Sequence, residues 1–144
     1  MICLGVDPGQ SRVGLALGQD SLAIALETVA IDGALARIGN LAHEKKAERI
    51  YVGLPISLSG AATESTMRAI EFASSLEELV DIPIFVIDER LTTAQSLRLS
   101  QAAGKSARES KPFVDAEAAR LIVESAIASN HTAGMKLGDY LARN

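Results

Sequence analysis

The chain has 144 residues, room for one domain of ordinary size, with 48% hydrophobic and 22% charged residues and only 3% aromatics. That balance excludes a disordered chain and requires an aliphatic core, while no apolar run nears the roughly 20 residues of a membrane-spanning helix. A net charge of −4 and a single cysteine, Cys3, exclude a strongly basic nucleic-acid coat and an internal disulfide.

Residues 2–7, ICLGVD, are an apolar run closed by an acid, the pattern of a strand covered on both faces. Pro8-Gly9-Gln10-Ser11 is turn chemistry, residues 13–17 read as a second strand, and the two suggest a hairpin. A third strand is expected over residues 22–31, and Asp32 is placed to cap the following helix, whose stripe is Leu35, Ile38, Leu41 and Ala42. A short buried strand follows at 50–53, then a loop at 56–60. Thr63 opens a second helix with apolar spacing at Met67, Ile70, Ala73, Leu76 and Val80. Residues 82–87 read as a fifth strand, stopping at Asp88-Glu89. Thr92 or Thr93 would cap a helix to about residue 103. Residues 104–111 read as a basic loop, with Ser110 as cap and Pro112 in the first turn of a last long helix to about residue 129. The tail beyond it carries a weak helical stripe at Met135, Leu137 and Leu141.

The order β-β-β-α-β-α-β-α-α predicts an α/β fold of one domain over residues 1–144, with 131–144 as a C-terminal tail. The sheet should be five-stranded and mixed, a three-strand meander followed by two parallel strands, with helices on both faces. Right-handed crossovers would gather the C-terminal ends of strands one, four and five, where ligands collect in such sheets.

Asp7 ends the first strand, Asp88-Glu89 end the fifth, and Asp115 lies early in the last long helix. Carboxylates converging there repel one another, so a cation has to neutralise them. Mg²⁺ or Mn²⁺ suits such hard oxygen donors and can activate water against a phosphodiester. Each residue has a plainer account: Asp7 in an Asp-Pro-Gly turn, Asp88 and Glu89 as solvated strand-end charges, Asp115 facing a helix N-terminus. Arg12 and Arg90 stand near these acids and could grip phosphate or serve as ion pairs; for Arg90, flanked by Asp88 and Glu89, the ion pair is the simpler reading. Lys105, Arg108 and Lys111 are candidates for tracking a nucleic-acid backbone, and Ser57, Ser59 and Gly60 for offering hydroxyls and amides to phosphate, or else a plain turn. No Ser-His-Asp set or zinc-ligand spacing appears, and His43 and His131 receive no role.

Asp7-Pro8-Gly9 with Arg12-Val13-Gly14-Leu15-Ala16, Val52-Gly53-Leu54-Pro55, Asp88-Glu89-Arg90-Leu91-Thr92-Thr93 and Val114-Asp115 with Ala118-Ala119 occur in an order that resembles the YqgF/RuvX family of Holliday junction resolvases. The resemblance spans about residues 2–127, and its Asp-Glu-Arg-Leu-Thr-Thr block is the specific part. It implies a ribonuclease H-like fold and a nuclease dependent on Mg²⁺ or Mn²⁺, with an acidic triad at Asp7, Glu89 and Asp115 and with Asp88 competing for the second place. It also implies work on branched DNA or on the 5′ end of the small-subunit ribosomal RNA precursor. A two-fold junction substrate would call for a homodimer. A non-catalytic nucleic-acid-binding factor is the rival reading, motivated by the acidic balance. An N-terminus without a basic region, and an unpaired cysteine, point to the cytoplasm.

Overall fold

The computed structural model describes residues 1–92 and 107–143, with backbone alone for 107–114. The chain forms β1 (Ile2–Pro8), β2 (Arg12–Gln19), β3 (Leu22–Ala30), α1 (Ile31–Lys45), β4 (Arg49–Leu54), α2 (Glu64–Leu79) and β5 (Ile84–Asp88). A 3₁₀ turn (Glu89–Leu91), α3 (Ala107–Ala128), β6 (Met135–Lys136) and α4 (Leu137–Arg143) complete the described elements. The sheet order is β3-β2-β1-β4-β5-β6. β1, β2 and β3 form an antiparallel meander, β4 and β5 run parallel to β1, and β6 is antiparallel to β5. The α/β expectation therefore stands, with one correction: the sheet has six strands, not five. Met135–Lys136 is too short to show an alternation. It is recruited because Leu137, the next residue, is fully buried in the core, which makes the tail part of the fold.

Why the central strands read as unbroken apolar runs is visible in the layers. Alternate residues of β1, β2, β4 and β5 (Leu4, Val6, Val13, Leu15, Ile50, Val52, Ile84, Val86) pack under α1 and α2. The other parity (Cys3, Ala16, Tyr51, Ile87) packs under α3, whose Ala118, Ala119, Ile122, Val123 and Ala126 form the buried stripe. Gly5, Gly14, Gly18 and Gly53 share that second parity. A Cβ at Gly5 would stand 2.8 Å from the Ala119 carbonyl oxygen, and one at Gly18 2.6 Å from Val123 Cγ1. With hydrogen at these positions, α3 lies close upon the sheet.

Local expectations were adjusted in places. Asp32 lies inside the first turn of α1; the cap position is Ala30, which makes no side-chain cap bond. The amide of Ile31 instead donates to the Ser11 carbonyl at 2.9 Å. Thr63 caps α2 in a reciprocal box with Thr66, but the buried stripe is Thr66, Ala69, Phe72, Ala73 and Leu76, and Met67 is exposed. Thr66 turns inward because its hydroxyl donates to the Pro55 carbonyl, so the stripe rotates away from Met67. Among the described residues α3 spans Ala107–Ala128, which puts Ser110 and Pro112 inside the helix and residues 107–111 of the expected basic loop in it too. Thr92 closes the 3₁₀ turn, its hydroxyl donating to the Glu89 carbonyl at 3.1 Å. The helix expected to run on to residue 103 lies outside the described residues. His131, given no role from sequence, hydrogen-bonds Tyr51 at 2.6 Å and stacks on its ring, a structural tie across the α3 side of the sheet.

Candidate active site

Asp7 is the sixth residue of β1, opposite Gly14 of β2 in the antiparallel register. It has the parity of Cys3 and Gly5, so it faces α3, and it is 2% exposed. Asp115 arrives on this face from above. A Cβ at Gly14 would collide with the Asp115 backbone oxygen, so the helix backbone sits directly on β2 beside Asp7. The Asp115 carboxylate is held by Arg12, with Nε 3.6 Å from Oδ2. Arg12 is therefore ion-paired to the acid it was expected to stand near.

Register settles the orientation of the Asp88-Glu89 pair. Asp88 pairs with Leu54 and shares the parity of Ile84 and Val86, so it faces the α1/α2 side. There its carboxylate accepts from the Arg90 amide at 2.9 Å and from the Arg90 guanidinium at 2.6 and 3.0 Å. One acid thus caps the 3₁₀ turn and holds the following arginine, whose pKa rises chiefly through that hydrogen bonding. Glu89 turns the other way and is completely buried. Its carboxyl lies over Gly53, where a Cβ would stand 2.8 Å from Oε1 and closer still to Ile122 of α3. Burial, then the negative charge of Asp88, push the Glu89 carboxyl up to about 8 from an ordinary 4.5.

Across the sheet edge the sequence is then Asp115 over β2, Asp7 on β1, and Glu89 over β4, all on the α3 face. Neighbouring strands are about 4.8 Å apart, so successive acids are one strand step from each other. Among the described residues, no three His, Cys, Asp or Glu side chains form a ready metal cluster. The three acids share a face without being drawn into a closed set of ligands.

Of the basic candidates, Lys105 lies outside the described residues. Arg108 and Lys111 fall on α3 two turns and one turn ahead of Asp115. Ser57, Ser59 and Gly60 are a self-contained turn. The Ser57 amide donates to the Ala61 carbonyl at 3.1 Å, Gly60 donates to the Ser57 carbonyl at 2.8 Å, and the Ala61 amide donates to Ser57 Oγ at 3.0 Å. Ser57 and Ser59 hydroxyls bond each other at 2.8 Å. Those groups are engaged within the loop, which supports the plain turn over phosphate binding. Sequence reasoning named Gly14 and Gly53 only within motifs and gave them no packing role, although they are the glycines that let Asp115 and Glu89 reach the sheet. Their parity with Asp7 along β-strands was the available signal.

A mixed sheet of this order, acids at the C-terminal edge of its central strands and a long helix across one face define a ribonuclease H-like α/β protein. A similar fold occurs in RuvC of Thermus thermophilus, solved with a Holliday junction substrate: TM-score 0.58 at 15% identity, covering 94% of this chain and 99% of that one. Residues 1–129 match the family described as RuvX, Holliday junction resolvase. A protein of Clavibacter michiganensis named "Putative pre-16S rRNA nuclease" is 37% identical over 147 aligned residues, covering 98% of this chain and 91% of that protein. One of the same name from Leifsonia xyli is 38% identical over 129, covering 86% and 83%. The chain belongs to the RuvX family, a family of nucleases acting on phosphodiester bonds.

Proposed function

We propose that the protein is a divalent-metal-dependent nuclease that trims structured nucleic acid, with the 5′ end of the small-subunit ribosomal RNA precursor as its principal substrate. The reading rests on one observation above all: Asp7, Glu89 and Asp115, from distant parts of the chain, share one face at one sheet edge. The RNA assignment follows the names of relatives that match nearly the full chain. Branched DNA is the second reading, favoured by the family's description as Holliday junction resolvases, and cutting such a two-fold substrate would call for a homodimer.

The residues fit a hard divalent cation, Mg²⁺ or Mn²⁺, in their chemistry. All three offer carboxylate oxygens, and the missing Cβ of Gly53 leaves the space that the Glu89 carboxyl occupies. A buried Glu89 that resists ionisation on its own becomes a good ligand once positive charge arrives. Asp7 and Asp115 would hold the ion with it, and the ion when bound would activate water and stabilise charge on the phosphate. Arg12 keeps Asp115 aimed at the edge. Arg12, Lys105, Arg108 and Lys111 are assigned to the substrate backbone, a modest footprint for which binding weakens with salt less steeply than for a strongly basic surface. The whole chain is assigned to one domain working in the cytoplasm. Among the described residues no helix is long and apolar enough to cross a membrane.

The test is purified protein on a precursor-like RNA and on a four-way DNA junction, with Mg²⁺, Mn²⁺ or EDTA. Cleavage that EDTA abolishes is expected. Asp7→Asn should lower it at least ~100-fold while the protein stays folded, and should weaken Mn²⁺ binding measured by calorimetry. Full activity of folded Asp7→Asn, or cleavage undiminished by chelation, defeats the assignment. RNA binding undiminished by chelation, with no cleavage in any metal, favours the rival binding factor.

A further inference from the structure

Strand alternation sends Glu89 toward α3, but β5 ends at Asp88, and past a strand's last residue alternation no longer fixes a side chain. Glu89 opens a 3₁₀ turn of three residues, too short to be stable by itself. Its carboxyl is fully buried, a costly place for an acid that could swing out to water. Other groups must therefore hold the turn. Thr92 grips the Glu89 carbonyl with its amide and its hydroxyl, both at 3.1 Å. On the opposite face of the sheet, Asp88 Oδ1 accepts from the Arg90 amide at 2.9 Å and closes the turn from its N-terminal side.

Capping alone does not call for a carboxylate. Asn, Ser or Thr would accept the same bond without setting a second negative charge beside a buried acid. What the Asp88 carboxylate adds is a two-pronged pair. Arg90 Nε lies 3.1 and 3.0 Å from its two oxygens, and Nη2 lies 2.6 Å from Oδ2. The far end of Arg90 meets the turn at 57–61: a Cβ at Gly60 would stand 3.2 Å from Arg90 Nη1, so the loop backbone lies against the guanidinium. That loop is closed by its own bonds and tied through Pro55 to Thr66 of α2, which makes it a firm stop. We propose that Asp88 and Arg90 are positioning residues: locked together against the 57–61 turn on the α1/α2 side, they fix the 3₁₀ turn so that Glu89 is presented on the α3 side with the other acids. The role of Glu89 as a ligand rests on the nuclease reading, while the brace itself is read from conformation. Asp88 is then no metal ligand, and the two neighbouring acids divide the work by facing opposite ways.

The experiment uses the full, metal-free chain labelled with ¹³C at glutamate side chains, and a neutral gadolinium chelate that broadens the signals it can approach. The Glu89 Cδ signal, identified by its loss in Glu89→Gln, is expected to be shielded in the parent, unlike that of the exposed Glu78. Asp88→Ala and Arg90→Ala should each lose that shielding. Asp88→Asn, which keeps an acceptor for the Arg90 amide, should restore part of it. Arg90 is exposed, so Arg90→Ala is expected to stay folded. Calorimetry should then show Mn²⁺ bound about ten-fold more weakly by Arg90→Ala, with kcat falling alongside while KM for nucleic acid changes little. Removing a positive charge by itself favours a cation, so weaker binding reads position and not charge. Unchanged Glu89 shielding in both folded alanine variants overturns the brace whether or not the protein cleaves. Mn²⁺ held at least as tightly by Arg90→Ala but lost by Asp88→Ala makes Asp88 a ligand and overturns it too. A rise in KM alone makes Arg90 a phosphate contact, with the same consequence. A protein that binds no Mn²⁺ and cuts nothing defeats the nuclease reading, and the shielding still decides the brace.

Discussion

The two faces of the sheet solve the same packing problem in opposite ways. Under α1 and α2 the strands offer Leu4, Val6, Leu15, Ile50, Val52, Ile84 and Val86, large aliphatic side chains that fill the ordinary space between helix and sheet. Under α3, Cys3, Gly5, Gly14, Ala16, Gly18 and Gly53 stand beside the larger Tyr51 and Ile87, and α3 answers with Ala118, Ala119 and Ala126 around Ile122 and Val123. Bulk on the first face holds the fold together. On the second, the glycines on β1, β2 and β4 let a helix backbone touch the strands, and that contact carries Asp115 to the β2 edge beside Asp7 and leaves room for Glu89. The polar groups most expensive to bury sit on the close face, while its opposite is almost wholly apolar.

Substitutions can break this contrast. Gly14→Ala should have the largest effect, since the new methyl would take the place of the Asp115 carbonyl oxygen. A loss of about 3 kcal/mol or more in a urea melt is expected, with activity lost even in protein that remains folded. Leu76→Ala, in the fully buried stripe of α2, should cost about 2–5 kcal/mol as a cavity, yet leave kcat per folded molecule near that of the parent. If Leu76→Ala damages kcat while Gly14→Ala spares it, the two faces do not divide stability from chemistry.

The titration of Glu89 sharpens the same contrast. Its folded pKa is raised, so the stability tied to its neutral form is full below about 4.5 and is lost as pH rises through about 8. The metal-free protein in EDTA should therefore melt lower at pH 9 than at pH 5. Glu89→Gln should flatten that trend, raising the pH 9 midpoint by roughly 5 °C. A scan of Tm against pH for both proteins checks it, and parallel curves would refute the burial argument. The smallest effect belongs to Gly39→Ala. A Cβ at this mid-helix site of α1 meets nothing within 4 Å, so a gain of about 0.5–1 kcal/mol is expected from helix propensity. A glycine that gains by substitution on α1, beside glycines that cannot tolerate it under α3, marks where small residues serve the site.

Much of this was legible beforehand for a definite physical reason. Strands covered on both faces must be apolar throughout, so β1, β4 and β5 announced themselves, and each acid closing such a run stood out against it. The Thr63–Thr66 start of α2 was equally local, written in side chains that bond their own backbone. Where several weak local signals competed, as at Asp32 and at Ser110 with Pro112, boundaries shifted by a few residues. Met67 was read into the core because spacing cannot tell how far a helix is rotated.

By itself, then, the chain determined the α/β order, the candidate acids and the family resemblance, because these depend on nearest neighbours along the backbone. Tertiary structure alone decided that Glu89 turns toward α3 while Asp88 turns to Arg90, that β6 joins the sheet, and that the residue 57–61 turn bonds to itself. Those outcomes hang on strand register and on how closely one layer can lie upon another, quantities set by residues far apart in sequence.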